Sequence, residues 1–236
     1  GVVRRASRAL QQKEAGGGSS GEKIREQRNR LGGEWPETHP RHGLMASPTT
    51  PQAADLCRLG TTVYSAEMAA EFGMPYVFAL FLNGDQDVMT QAMATYHDRF
   101  DTAGPRCKRA MLALPVVVAE SADEAAAFAA EIKVVRIRLE SGRTLTAGNL
   151  ESAEKFGKPS GEKFEINVTD APVVHGSPEI ALKKLLDIQR LHNVEEIIAV
   201  TAINDFQKRL RSYELLSDAL IKANLASCAD QGQEVA

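Results

Sequence analysis

The window from Asp55 to Phe81 constrains the fold of this chain more than any other stretch. A short apolar segment, Leu56–Leu59, meets a Gly60-Thr61-Thr62 turn, a helix-forming run Ser65–Phe72, a stop at Gly73 and a second apolar run, Tyr76–Leu82. Met68 and Phe72, four apart, share one helix face, and a glycine just past the last helical residue is a common terminator. Continuous apolar runs of this length suit strands buried on both faces. Strand, turn, helix and strand in that order form the repeating unit of a parallel α/β fold. The turn also has a chemistry of its own. Backbone N–H groups at the mouth of a helix, with three hydroxyls beside them, suit a phosphate.

The same alternation continues downstream. Asp87–Phe100 reads as a helix with Val88, Ala92, Tyr96 and Phe100 on one stripe. Ala110–Val118 reads as a strand, and Pro115 within it predicts an edge or a bulge. Ser121-Ala-Asp-Glu124 is a capping box opening a helix whose stripe is Phe128, Ile132, Val135 and Leu139. Residues 140–170 have no clear period, which predicts an excursion loop or a lid. Ser177-Pro178-Glu179 starts another helix, with Ala181, Leu185 and Ile188 apolar. Glu196–Ala202 is a β-branched strand. Asn204–Gln207 opens a last helix with Phe206, Leu210, Tyr213, Leu216 and Leu220 three or four apart. The count is four strand–helix units, half of an eight-unit barrel.

A chain of 236 residues, 43% hydrophobic and 25% charged, has material for one full α/β domain. Its net charge of −3 gives no general reason to expect nucleic acid or an anionic membrane as partner. The longest apolar runs are strand-sized, so no membrane span is expected. Cys57, Cys107 and Cys228 are far apart and odd in number, which argues against a disulfide framework or zinc site and for a reducing cytoplasm. Cys57 reads as a small core residue of its strand.

A seam lies near residue 43. Residues 1–43 hold nine Lys/Arg, five Glu and eight glycines, with only nine hydrophobic positions. Their charge is +4, against −7 for the rest. Ala15–Gly21 has linker composition, and the prolines at 36 and 40 break helices. The expected organisation is therefore a disordered or foreign leader (1–43), an ordered α/β part (44–225) and a flexible tail (226–236).

Gly60-Thr-Thr-Val-Tyr-Ser-Ala-Glu-Met-Ala-Ala-Glu-Phe-Gly-Met-Pro-Tyr76 resembles the phosphate-loop helix of the bacterial luciferase-like flavin oxidoreductases, the luciferase-like monooxygenases. Three later segments match in the same order: Val116–Ala125, Val174–Glu179, and Glu196–Ile203 running into Arg209–Leu216. The resemblance covers about residues 44–220. It implies a TIM barrel, here a partial (β/α)8 barrel of about the last four β/α units. It further implies reduced FMN as cofactor, or the deazaflavin F420 in sister groups, with oxygen and a small organic substrate. Carried over by position, Gly60, Thr61, Thr62, Tyr64 and Ser65 would hold the flavin phosphate, Thr61 and Thr62 through N–H and hydroxyl groups and Ser65 through its hydroxyl. The bland reading of Thr62 and Ser65, capping of their own helix, stands beside it.

Residues 1–43 resemble nothing in the first half of such a barrel. The resemblance thus implies the C-terminal half of a truncated member. An unclosed half-barrel leaves strand edges unpaired, so a non-catalytic fragment that self-associates into a homo-oligomer, or pairs with a partner, is the alternative. A phosphosugar-type barrel enzyme ranks last, since no acid/base pair is evident. No catalytic residue is assigned, because the loops expected to carry one are absent. No His/Cys/Asp cluster has metal-ligand spacing. His97 reads as a surface residue, His175 as a loop residue, and His192 as a favourable partial charge near a helix C-terminus. Arg209 and Arg211 read as surface ion-pair donors.

Overall fold

The computed structural model describes residues 20–32, 35–44, 47, 56–102, 108–157 and 161–233. The chain divides into two units, Gly1–Leu56 and Cys57–Ala236, so the composition seam at residue 43 falls inside the first.

In the first unit the described residues form a helix, α1 (Ser20–Gly32), where composition predicts disorder. Glu, Lys, Arg, Gln and Leu fill it, straight-chain residues that lose little rotamer freedom in a helix. A turn follows, in which Trp35 Nε1 donates to Leu44 O at 2.8 Å and Trp35 stacks on His39 with ring centroids 4.5 Å apart. Arg41 pairs with Glu26 of α1 at 2.7 Å.

The second unit is an α/β fold built on a parallel sheet. Its strands are β1 (Arg58–Gly60), β2 (Tyr76–Ala79) and β3 (Ala110–Val118), with β7 (Val174–Gly176) and β8 (Glu196–Val200) both pairing β3. All these pairings are parallel. The connecting helices are α2 (Val63–Glu71), the one-turn α3 (Leu80–Asn83), α4 (Gln86–Arg99), α5 (Ala122–Ala130), α7 (Pro178–His192) and α8 (Phe206–Gln233).

Every residue of β3 is buried, and alternate residues of the sheet enter different clusters, as the pleat requires. Tyr76, Phe78, Leu112, Leu114 and Val116 pack with Ala69, Met93, Tyr96, Leu185 and Leu216 of the helices. Val77, Met111 and Ala113, with Leu59 and Phe81, form a separate cluster. Two-sided burial explains why these strands are unbroken apolar runs rather than alternating ones. Each large side chain so buried contributes roughly 1.5–3 kcal/mol of transfer free energy. Pro115 is neither at an edge nor in a bulge. It pairs with Val200 of β8, while on the opposite side β2 pairs β3 only as far as Ala113 and β7 only from Val116, so its missing N–H falls in the gap between those two partners.

Residues 140–170, expected as an irregular excursion loop or lid, are instead regular together with 133–139 over the described residues. They form an antiparallel sheet in the order β5-β4-β6, from β4 (Lys133–Leu139), β5 (Thr144–Ala147) and β6 (Phe164–Asp170), with the helix α6 (Leu150–Gly157) between β5 and β6. Val135, Ile137, Leu139 and Ala153 form its core with Leu145, Phe164 and Ile166. The spaced apolar residues Phe128, Ile132, Val135 and Leu139 are thus not one helix stripe. The helix ends at Ala130, and Val135, Ile137 and Leu139 alternate on a strand.

Three smaller differences matter below. The run Tyr76–Leu82 turns helical at Leu80. Cys57 is exposed rather than core, while Cys107 and the Cys228 side chain lie outside the described residues. On α8, among the described residues, Ser212, Leu215, Leu216 and Ala219 are buried, whereas Phe206 is 62% exposed. The helix continues to Gln233, through most of the stretch expected to be a flexible tail.

Candidate functional site

The turn between β1 and α2 is held by its own side chains. Thr62, extended at φ −141° and ψ 156°, is the N-cap of α2. Its Oγ1 accepts from Ser65 N at 3.2 Å, and Thr62 N donates back to Ser65 Oγ at 3.3 Å, completing a capping box. Ser65 Oγ also donates to Thr62 O at 2.6 Å and lies 2.9 Å from Tyr76 Oη. Tyr76 Oη in turn reaches Thr62 O at 3.3 Å. Burial pushes the Tyr76 phenol up to about 12, against the opposing effects of the Ser65 hydrogen bond and the Arg58 charge. Tyr76 is therefore a protonated donor at neutral pH.

Gly60 makes this closeness attainable. A Cβ there would stand 1.9 Å from Ser65 Oγ and 2.3 Å from Ser65 Cβ. Any side chain at position 60 would have to displace the residue that closes the cap.

The arrangement leaves a definite set of groups facing outward. In an α-helix the first amides have no carbonyl four residues back. The box takes the Thr62 and Ser65 amides, so Val63 and Tyr64 supply the amides at the mouth of the helix. Thr62 and Tyr64 are exposed, Thr61 is half-buried and Ser65 is buried. Helix α2 has no acidic residue in its first turn, whereas α4 has Asp87, α5 has Asp123 and Glu124, and α7 has Glu179. The partial positive charge of α2 is thus not neutralised from within.

The five turn residues named from the sequence are therefore adjacent, with divided roles. Ser65 spends its hydroxyl inside the turn, as the capping reading expects. Thr61, Thr62 and Tyr64 are on the accessible side. Two further residues act on the turn without any signal in its local sequence. One is Tyr76, the lone hydroxyl-bearing residue in an apolar run. The other is Asn83, whose Nδ2 donates to Thr61 O at 2.7 Å. Asn83 follows the apolar run Tyr76–Leu82 directly, and nothing in that run ties it to the turn.

An open cleft of about 550 Å³ begins next to Asn83, lined by Gly84, Asp85, Arg136 and Asp170 among others. A more apolar groove of about 480 Å³ runs between α7 and α8 and shares no residue with the turn. Among the described residues no group of three or more His, Cys, Asp or Glu side chains is placed to hold a metal ion. No described helix is long and apolar enough to cross a membrane.

The histidines lie outside the turn. His97 is half-buried rather than on the surface, its Nε2 3.1 Å from His192 O. His192 is buried, and desolvation holds its imidazole below the ordinary value, the reverse of a favoured partial charge. His175 lies in β7, its pKa lowered by burial and by Lys184. Arg211 is the surface ion-pair donor expected, reaching Glu120 through Nε at 2.9 Å and Nη2 at 2.7 Å. Arg209 instead donates to Ile203 O at 2.8 Å.

No protein-family model matches the chain. It is 28% identical over 204 residues to N-acetyl-S-alkylcysteine monooxygenase of Bacillus subtilis, covering 86% of this chain and 60% of that protein. It is 27% identical over 162 residues to a luciferase-like monooxygenase of Escherichia coli K12, covering 68% of this chain and 48% of that protein. Among solved structures it is similar to apo-MsnO8, at a TM-score of 0.62 and 28% identity over 89% of this chain and 62% of that one. The chain therefore spans about half to three-fifths of the length of these proteins.

Proposed function

From its kinship with the luciferase-like monooxygenases, we propose that this chain carries the flavin-phosphate anchor of a flavin-dependent monooxygenase, with FMN as the cofactor. The observation that carries the reading is the Gly60–Ser65 turn. Its cap is closed internally, its helix opens with no acid in the first turn, and position 60 has no room for a Cβ. These residues fit a phosphate. Thr61 and Thr62 would contribute hydroxyls, and Val63 and Tyr64 the amides of the helix mouth, while Gly60 and Ser65 keep the turn in shape. A dianion at a helix N-terminus gains charge-assisted hydrogen bonds and a favourable dipole interaction.

The flavin, when bound, supplies the redox chemistry with oxygen and an organic substrate. What these residues do is bind and orient. The turn fixes one end of the cofactor relative to the C-terminal ends of the parallel strands, the usual position of sites in such sheets. The partial-barrel architecture and the whole reaction belong to this proposal, since the chain matches only part of its relatives' length.

Titration of the full chain with FMN, F420 and inorganic phosphate tests the reading, comparing wild type with a Thr61→Ala/Thr62→Ala variant. The expected result is FMN binding that weakens in the variant and competes with phosphate. Equal, tight FMN binding by both proteins would sink the assignment. Binding of F420 in preference to FMN would move it to the deazaflavin branch.

A second reading is favoured by the sheet itself. Among the described residues, β1 pairs only with β2, and β7 and β8 each only with β3, leaving strand edges open. Such a sheet suits a fragment that self-associates. Sedimentation of the full chain separates the readings, because a cooperatively folded monomer is inconsistent with association through those edges.

A further inference from the structure

We infer that Asn83 and Arg136 are positioning residues for the Gly60–Ser65 turn, through which the antiparallel β4–β6 insert sets the competence of that turn to hold an anion. This rests on the phosphate reading above. Asn83 lies at the end of the one-turn helix α3, 22 positions from Thr61 in sequence, and its Nδ2 donates to Thr61 O at 2.7 Å. Its other face accepts from Arg136 of β4. Arg136 Nη2 is 3.3 Å from Asn83 Oδ1 and also donates to the Asn83 main-chain oxygen.

The consequence is a peptide gripped from both sides. The Thr61 carbonyl is held by Asn83, and the N–H of the same peptide, on Thr62, is held by Ser65 Oγ at 3.3 Å. The following carbonyl, Thr62 O, is occupied by Ser65 Oγ and Tyr76 Oη. An anion site needs carbonyl oxygens turned away as much as it needs amides turned forward, because an unpaired carbonyl repels the ligand. Among the described residues, Asn83 is the donor to these two carbonyls that comes from beyond the β1–α2–β2 unit. The Arg136 guanidinium has only donors to offer Asn83, and its charge polarises the Asn83 amide, strengthening Nδ2 as a donor.

The insert is also seated by packing. Gly84 adopts φ +67°, and a Cβ there would lie 2.9 Å from Val134 Cγ2. Strand β4 thus meets the β2–α4 connection at a separation that only glycine allows, with Val134 on Gly84 and Arg136 on Asn83. A shift of the insert would therefore move the donor that holds Thr61.

The test uses the full chain and the variants Asn83→Ala, Asn83→Asp, Arg136→Met and Arg136→Lys. Two measurements are made on each: hydrogen exchange of amides 61–66 without cofactor, and FMN titration. Asn83→Asp keeps the side chain's size but removes the Nδ2 donor, which separates donor loss from a cavity. Loss of one such bond predicts exchange faster by about tenfold in 61–66 and FMN binding weaker by a similar factor, with amides 111–114 and 116–118 unchanged. Arg136→Lys should recover part of what Arg136→Met loses. Unchanged exchange at 61–66 in both Asn83 variants overturns the grip. Faster exchange with unaltered FMN affinity overturns the positioning role. Faster exchange in a protein whose wild type binds no FMN overturns the phosphate reading while the grip on the turn stands.

Discussion

Tyr76 Oη and Ser65 Oγ, 2.9 Å apart, join the first residue of β2 to the third residue of α2. Both are buried. The bond fastens the helix N-terminus to the sheet from below, so that the cap, the strand and the core share one polar contact. Tyr76 and Tyr96, with rings 5.5 Å apart, extend the same contact into the core. Tyr96 Oη donates to Met74 O at 2.9 Å, just before β2 begins.

Replacing Tyr76 by Phe keeps the ring and removes the hydroxyl. Ser65 and Thr62 O each lose a partner in a buried setting, at an expected cost of about 1–3 kcal/mol in denaturant unfolding. The pH dependence has a definite sign. The native phenol titrates near 12 and an unfolded one near 10, so the fold favours the protonated form. Stability from this group is full below about pH 10 and is lost as pH rises toward the folded value. Burial raises the Tyr96 phenol as well, so a phenolate absorbance titration should show late-ionising tyrosines, one fewer in Tyr76→Phe than in wild type.

Gly60→Ala should be far more damaging than alanine at an open glycine. Its Cβ falls 1.9 Å from Ser65 Oγ, whereas nothing lies within 4 Å of a Cβ at Gly148. Overpacking of this kind costs typically about 1–3 kcal/mol. The expected outcome is a lower Tm for Gly60→Ala, a near-unchanged Tm for Gly148→Ala, and loss of FMN binding confined to the first. Equal melting of the two variants would falsify the close approach.

Why some of this is legible in the sequence and some is not follows from the range of the interactions involved. Gly73 takes φ +56° just past α2, as its place after Phe72 predicts, and β3 has the bounds its apolar run predicts. These are local signals. The insert is less legible, because Phe128 and Ile132 happen to continue in helical spacing into Val135 and Leu139, though a strand begins at Lys133. The alternation of Phe164 and Ile166 is the signal that could have exposed β6. Tyr76, Asn83 and Arg136 could not be tied to the turn from sequence. Their contacts depend on where β2 and β4 come to rest, which no local pattern encodes. Ser65 illustrates the remaining ambiguity, since a hydroxyl that caps and a hydroxyl that binds look alike until the partner atoms are known.

The buried imidazole of His192 predicts a stability change in the mildly acidic range. Desolvation lowers its folded pKa, whereas in the unfolded chain it titrates near 6.5. The unfolded state therefore binds the proton more readily. Stability from this group is complete above about pH 6.5 and falls as pH drops through the folded value. His175 is shifted in the same direction. Tm measured from pH 7.5 to 5 should fall less steeply for His192→Gln than for wild type, and less steeply again for His175→Gln/His192→Gln.

Ser212 should be the most sensitive polar position on α8. Its hydroxyl, 2% exposed, accepts from Val118 N at 2.8 Å at the last residue of β3. Alanine there strands a buried strand amide, which costs about 1–3 kcal/mol. The neighbouring Tyr213 offers an internal comparison. Its Oη accepts from Thr201 N at 3.0 Å, but the side chain is 39% exposed, so water can replace the phenol in Tyr213→Phe. Chemical denaturation should therefore separate the two variants, with Ser212→Ala clearly destabilised and Tyr213→Phe close to wild type. A reversed order would mean that α8 is held by its exposed aromatic residue rather than by the closure of β3.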